Sequence, residues 1–325
     1  MSSVQCLICD ALMRAWLTVP VDWRRPDRAE SYELYWCDRC QFGQVFPRPD
    51  REAIAKFYDV DYYTHYTENG QDTATEKKPF LNRLQEHLAW RADRGVDINQ
   101  EWCINHWGNQ SSRVCELGCG SGAMLEYLQS WGYEGVGVEP DPAARQAASS
   151  RGLQIFEGTA ELLPPEIKSE SFDVVFMSHV LEHCLEPKKA VKNAFSLVKP
   201  GGVVVIETPN NQAVGLNHVG IAWSWLDVPR HLNFFTAQSL QALCQKEDIS
   251  THSIEFNGYV RQFADSWIAE EQEIWEQFKA VVGDDTQLPK QNSHRHAWSL
   301  LLRTLLAKPE LKYDSVRLIA VRSKL

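Results

Sequence analysis

Short apolar runs that stop on an acidic residue recur through the middle of this chain. Residues 114–117 form one such run, carrying Glu116 and passing into Gly118, Gly120 and Gly122. Residues 135–138 form a second, ended by Glu139. Residues 172–177 are a longer one, and 203–206 are another, entered through Lys199-Pro200-Gly201-Gly202 and closed by Glu207. Unbroken apolar runs of this length read as strands buried on both faces. Helical patterns lie between and beyond them: Ala123–Ser130 after the glycines, a helix opened by Thr236-Ala237-Gln238-Ser239 and running to Lys246, one over Asp265–Val282 stopped by Gly283-Asp284-Asp285, and a leucine-rich one over 296–307. Residues 249–256 and 315–322 read as two more strands. Upstream, Asp50 can cap a helix over Arg51–Phe57. A helix from Thr75 or Glu76 to Arg94 puts Phe80, Leu84, Leu88 and Arg91 on one face, with Leu81 and His87 near it. Strands alternating with helices predict an α/β fold with a mostly parallel sheet.

The turn Gly118-Cys119-Gly120-Ser121-Gly122 carries the first chemistry. Glycines at alternate positions permit positive φ and a close backbone approach to a ligand. The helix that follows offers unpaired N–H groups at its start. A second acid, Glu139, stands 23 positions after Glu116 at the end of the next strand, the place from which an acid commonly takes a ribose diol. The spacing is not G-x-G-x-x-G, and Glu116 directly before the loop repels a pyrophosphate while suiting an ammonium group.

This combination resembles the class I S-adenosylmethionine (SAM)-dependent methyltransferases. The resemblance continues through Gly158-Thr159-Ala160-Glu161-Leu162-Leu163-Pro164, Phe172-Asp173-Val174-Val175-Phe176-Met177 and the Val198-to-Glu207 turn and strand, and covers about residues 115–260. It implies a Rossmann-like seven-stranded sheet whose last strand, 315–322, inserts antiparallel. By it, Glu116, Gly118 and Gly120 hold the methionine part of SAM, Glu139 the ribose, and Ala160 and Glu161 the adenine, with Met177 also among the cofactor-binding residues. Residues of about 262–312 become a helical insertion before the final strand, near the substrate mouth.

Cys6-Leu7-Ile8-Cys9 and Cys37-Asp38-Arg39-Cys40 are two C-x-x-C pairs, the pattern that sets four thiolates around one tetrahedral zinc. The intervening stretch leaves room for hairpin strands over 15–21 and 31–36, and Gly43 suits a tight turn after the second pair. Two disulfides are the competing reading. Residues 1–10 are too short and too polar for a secretory leader, the other five cysteines are scattered, and the total of nine is odd. A reducing cytoplasm is the expectation. Four cysteines close a zinc shell, so this metal is expected to be structural and to supply the module's folding energy. The domain plan is then a zinc module over 1–46, a helical linker or cap over 47–110, and the catalytic domain over 111–325. A C-x-x-C pair followed by Phe42-Gly43, then Phe57-Tyr58 and Tyr62-Tyr63, resembles bacterial methyltransferases associated with surface polysaccharides, deoxysugars and secondary metabolites. Tyr62, Tyr63 and Tyr66 are either a flap over SAM or ordinary linker packing.

Composition narrows partners more than fold. The chain has 325 residues, 33 basic and 43 acidic, a net charge of −10 that disfavours a phosphate backbone as ligand. The small cluster Arg24, Arg25, Arg28 reads as a solvated loop. No apolar run approaches the ~20 residues of a membrane span. Twelve tryptophans point to aromatic packing, with a share free to line a substrate cleft.

Ser178-His179-Val180-Leu181-Glu182-His183 follows the fourth strand. If a helix starts there, His179, Glu182 and His183 share a face, and Pro229-Arg230-His231, after the fifth strand, can return His231 to it. Three readings stand: a buried Glu182–His183 pair that shapes the loop; His179 or His231 as general base toward an acceptor hydroxyl; or a divalent metal held by His179, Glu182, His183 and His231. The last resembles the E-x-x-E-H plus His site of small-RNA 2′-O-methyltransferases and ubiquinone-pathway O-methyltransferases, with His179 where those have glutamate, a change that points away from magnesium. The expected reaction is methyl transfer to a hydroxyl of a small molecule such as a sugar, nucleotide sugar, polysaccharide end or secondary metabolite. C-methylation of a keto sugar, another SAM-dependent reaction, and a non-catalytic SAM- or partner-binding module are the alternatives.

Overall fold

The structure, a computed structural model, describes residues 3–27, 30–58, 79–108, 112–283 and 288–323. Its main sheet has seven strands. In chain order these are β4 (Arg113–Leu117), β5 (Glu134–Glu139), β6 (Gln154–Glu157), β7 (Phe172–Ser178), β8 (Val198–Pro209), β10 (Thr251–Asn257) and β11 (Ser315–Val321). They lie in the order β10-β11-β8-β7-β4-β5-β6. β4 is parallel to both β5 and β7, and β7 to β8. β11 enters antiparallel between β8 and β10, as the sequence predicts. Chain progression reverses between β4 and β7, and that switch point opens a crevice at the carboxyl ends of these strands. Glu116 and the glycine turn leave β4 there, and His179 leaves β7 beside them.

Helices α4 (Ala123–Ser130), α5 (Pro142–Ser150), α6 (Pro187–Leu197) and α8 (Ala237–Lys246) cover the sheet. Thr236 caps α8 with a reciprocal Ser239 bond, and Asp50 caps α1 (Arg51–Phe57). Short α7 (Val214–Val219), then α9 (Asp265–Val282), α10 (His294–Thr304) and α11 (Pro309–Lys312), build the added layer. No helix among the described residues is long and apolar enough to cross a membrane.

The amino-terminal hairpin strands are β1 (Arg14–Val19), β2 (Tyr32–Cys37) and β3 (Phe42–Phe46). Their antiparallel sheet is completed by β9 (Asn233–Phe234), from the segment after β8. Cys6, Ile8, Cys37, Cys40 and Phe42 share one core with Phe235, Leu240 and Leu243. The cysteine module therefore packs on the sheet's own helix α8 and is continuous with the His231 segment.

Three local expectations are corrected. Gly43 is not a turn residue: it lies in β3, where an added Cβ would sit 3.0 Å from Phe234 and Trp16 and 3.1 Å from Trp36. Arg24 and Arg25 are not a solvated loop: Arg24 pairs with Asp227 at 3.2 Å and Arg25 donates to the Lys56 carbonyl at 2.7 Å. No helix starts at Ser178: His179 has φ 54°, and a single 3-10 turn over Leu181–His183 follows. Tyr62, Tyr63, Tyr66 and Arg28 lie outside the described residues, as does the start of the helix expected before Phe80; its described part is α2 (Phe80–Ala92). A further helix, α3 (Gln100–Trp107), precedes β4.

Candidate active site

Gly118, Gly120 and Gly122 all have positive φ (72°, 52° and 83°). A Cβ on Gly118 would collide with Val180 Cγ2, so side-chain absence there is a packing requirement as well as a conformational one. Glu116 is buried, and its Oε2 has no hydrogen-bond partner. Burial, then the nearby charge of Glu139, pushes its carboxyl up to about 8. A buried carboxylate oxygen without a partner is costly, and a cationic ligand in this crevice would offset that cost.

Glu139 sits at the end of β5 and accepts from Gly120 N at 2.8 Å and Asp141 N at 2.9 Å. It ties the glycine turn to the next helix while each oxygen keeps a further lone pair. Ala160 is buried, its carbonyl accepting from Asn193 Nδ2 at 2.8 Å. The Glu161 carboxylate accepts from Glu186 N at 2.6 Å, which ties it to the start of α6. The Met177 side chain lies wholly inside the core.

The second cluster forms where the turn after β7 meets residues 225–233. His179 contacts Glu182 at 3.2 Å through Nδ1 and Glu207 at 3.6 Å through Nε2, and stacks on Trp225 with ring centroids 4.6 Å apart. Burial alone would lower its pKa, but Glu182 and Glu207 outweigh it and raise it to about 9. Both ring nitrogens of His179 thus face carboxylates, which favours its protonated form. That arrangement counts against the expectation of His179 as general base.

His231 is the opposite case. It is buried, and burial followed by His183 lowers its pKa to about 4. Its Nδ1 lies 2.8 Å from the Trp225 carbonyl, which can only accept, so the proton is on Nδ1 and Nε2 keeps a lone pair. His183 Nδ1 likewise lies 3.1 Å from the Arg230 carbonyl and 2.8 Å from the Tyr58 hydroxyl. Glu182 Oε2 is buried and unpaired. One ligand atom each from Glu182, His183 and His231 lies within 4.8 Å of the others, and His179 is not part of that group. Two imidazoles whose Nδ1 faces a backbone carbonyl, plus one carboxylate, form a donor set suited to a divalent cation.

Several residues that fix this geometry escaped the sequence reading. Asn233 Nδ2 donates to the carbonyls of Leu181 (3.1 Å) and Cys184 (2.6 Å). Arg48 donates to those of Cys184, Leu185 and Leu232. Arg230, fully buried, pairs with Asp22 at 2.7 Å and Asp227 at 2.9 Å. Glu207 pairs with Arg317 at 2.7 Å. Asp22 and Arg48 lie more than a hundred positions from the residues they hold, and no local pattern marks such partners.

The four cysteines also converge. Cys6–Cys40 and Cys9–Cys37 sulfurs are 3.5 Å apart and Cys9–Cys40 3.6 Å. These separations are far beyond a disulfide bond and near the ~3.8 Å between sulfurs around a tetrahedral zinc. The residue after each pair, Asp10 and Gln41, has positive φ (60° and 56°), and its N–H returns to the carbonyl of Cys6 or Cys37. The two knuckles are the same turn used twice.

Seven strands in this order with an antiparallel carboxyl-terminal hairpin, and a glycine turn beside an unpaired acid at the switch point, define the class I SAM-dependent methyltransferase fold. A model described as a methyltransferase domain matches residues 86–253, more than half of the chain, and the chain belongs to that family. It is 32% identical over 159 residues to a ubiquinone biosynthesis O-methyltransferase of Azorhizobium caulinodans, covering 43% of this chain and 62% of that protein, under two thirds of its length. It is 31% identical over 176 residues to the protein of the same description from Cereibacter sphaeroides, covering 51% and 68%. A SAM dependent methyltransferase structure from Archaeoglobus fulgidus aligns with 17% identity and a TM-score of 0.47, covering 73% of this chain and 94% of that one.

Proposed function

We propose that the protein transfers a methyl group from SAM to a hydroxyl oxygen of a small-molecule acceptor, beside a divalent cation held by Glu182, His183 and His231. The observation that carries this reading is the trio itself: an unpaired buried carboxylate oxygen and two imidazoles whose Nδ1 atoms face backbone carbonyls. The relatives' description as O-methyltransferases supports oxygen as the acceptor atom. SAM brings an activated methyl group. Glu116 receives its ammonium, the Gly118 and Gly120 backbone approaches its methionine part, Glu139 takes the ribose, and Ala160 and Glu161 line the adenine. A divalent cation at the trio supplies Lewis acidity toward the acceptor hydroxyl. Trp225 and Arg230 hold the two imidazoles in the tautomer that leaves Nε2 open. His179, cationic between Glu182 and Glu207, balances the carboxylates and orients Glu182.

The same reading gives the four cysteines one structural zinc, with the module over 1–46, a cap over 47–110 and the catalytic domain over 111–325. All nine cysteines are unpaired, which supports a reducing compartment such as the cytoplasm. The acceptor class follows the sequence resemblance: a sugar, nucleotide sugar, polysaccharide end or secondary metabolite.

Calorimetric titration of Mn²⁺ into chelator-treated protein that retains its cysteine-bound zinc tests the trio. One further binding event is expected, absent in Glu182→Gln and in His231→Ala while both still bind SAM. Binding unchanged in both variants refutes the metal. If instead no cation binds and His231→Ala alone loses roughly 10²–10⁴-fold in rate, His231 is a lone general base.

A further inference from the structure

We infer that the outer faces of α2 and α10 form a docking surface for an anionic lipid membrane. The 3-4-3 apolar face of α2 is not the one that folding buries. Gln85 and Ala89 face the core instead, Gln85 donating to the His294 carbonyl and Ala89 sharing a core cluster with Ala297, Leu300 and Leu301 of α10. Phe80 (76% exposed), Leu81 (61%) and Trp90 (65%) stay open on α2, and Leu302 (73%) and Leu306 (96%) on and just after α10. With Leu88 and Leu305, the length of α2 and the end of α10 carry seven of the twelve large apolar side chains exposed among the described residues. A concentration of this kind on an otherwise polar surface marks a contact site.

Charge selects the partner. Arg83, Arg91, Arg94, Arg295, Arg303 and Lys308 are exposed around these apolar groups, and none makes an ion pair among the described residues. Residues 79–95 and 288–312 hold eight Lys and Arg against three Asp and Glu, in a chain of net charge −10. Six unpaired cations of one sign would repel a second copy of the same face. Seven exposed apolar side chains have no use at a nucleic-acid backbone. Basic residues flanking exposed Leu, Phe and Trp match the interface of a bilayer with acidic headgroups. A cavity of about 820 Å³ shares Trp90, Arg91 and Arg94 with this face and is lined on its other side by Asn257–Arg261. Arg261 in turn lies 5.0 Å over the Trp225 ring, the ring on which His179 stacks. Docking would bring the cavity mouth to the lipid interface.

The test is co-sedimentation of the full-length protein with phosphatidylcholine vesicles, with and without phosphatidylglycerol. Binding is expected only with the anionic lipid, and loss of it at high salt. The double variant Leu302→Gln/Leu306→Gln should weaken partitioning at least tenfold, and Arg91→Glu/Arg303→Glu about as much. Both should keep SAM affinity and the thermal midpoint, since the altered side chains are exposed. Three outcomes overturn the inference: no binding to anionic vesicles, equal binding by wild type and both variants, or a concentration-dependent dimer in scattering that the Leu302/Leu306 variant abolishes. Failure here leaves the Glu182–His183–His231 reading intact, because no residue is shared.

Discussion

Glu116→Gln should make the ligand-free protein more stable and the SAM complex weaker. The carboxyl is buried and Oε2 has no partner. Its pKa rises from an ordinary 4.5 to about 8, through burial first and Glu139 second. Between those values the folded state holds a proton that the unfolded state has released, so stability falls as pH rises from 4.5 to about 8. At about 1.4 kcal/mol per pH unit, the part accumulated by pH 7 is about 3 kcal/mol. Glutamine keeps the shape and has no charge to bury. For a chain of this size that gain corresponds to about 4 °C in thermal midpoint. SAM affinity should move the other way, by about 1.5–3 kcal/mol for a lost charge-assisted bond. Wild-type affinity should climb with pH until Glu116 is ionised, near pH 8, while that of the glutamine variant stays flat. Scanning calorimetry without ligand at pH 5 and pH 7, and titration calorimetry with SAM across the same range, read both effects. A glutamine variant that is less stable at pH 7, or that binds SAM like wild type with the same pH slope, would refute the assignment of Glu116 to a cationic ligand.

Purified protein should carry about one zinc per chain by elemental analysis, and Cys40→Ser should lose it together with the amide-exchange protection of the β1–β3 sheet. Gly43→Ala should cost about 1–3 kcal/mol by denaturant unfolding, because Trp16, Trp36 and Phe234 already stand within 3.1 Å of the added carbon; an unchanged midpoint would show that this packing is slack. Arg230→Met should cost about 3–5 kcal/mol, since it leaves Asp22 and Asp227 buried without their main cation, and should also weaken Mn²⁺ binding at the trio; stability loss with normal Mn²⁺ binding would separate Arg230 from the site.

Local signals were legible in the amino-acid order. Glu116 and Glu139 end apolar runs, alternate glycines mark the turn, Thr236 and Asp50 cap their helices, and each C-x-x-C pair closes a knuckle. All depend on neighbours a few positions apart, where strand pairing, capping and turn geometry act. The antiparallel β11 followed from resemblance, and its pairing with β8 and β10 confirms it. Distant contacts set the rest. A helical spacing joined His179 to Glu182 and His183, but the chain makes a positive-φ kink and one 3-10 turn, because Asn233, Arg48 and Leu232 take up the backbone groups of that segment. The opposite electrostatic surroundings of His179 and His231 were equally hidden. His179 lies between Glu182 and Glu207 while His231 is buried facing a carbonyl, and a pKa responds to these surroundings and not to residue type. The face of α2 that turns inward was decided in the same way: Gln85 reaches the His294 carbonyl and Ala89 fits against α10, so close packing of small and hydrogen-bonded side chains prevailed over the larger apolar face.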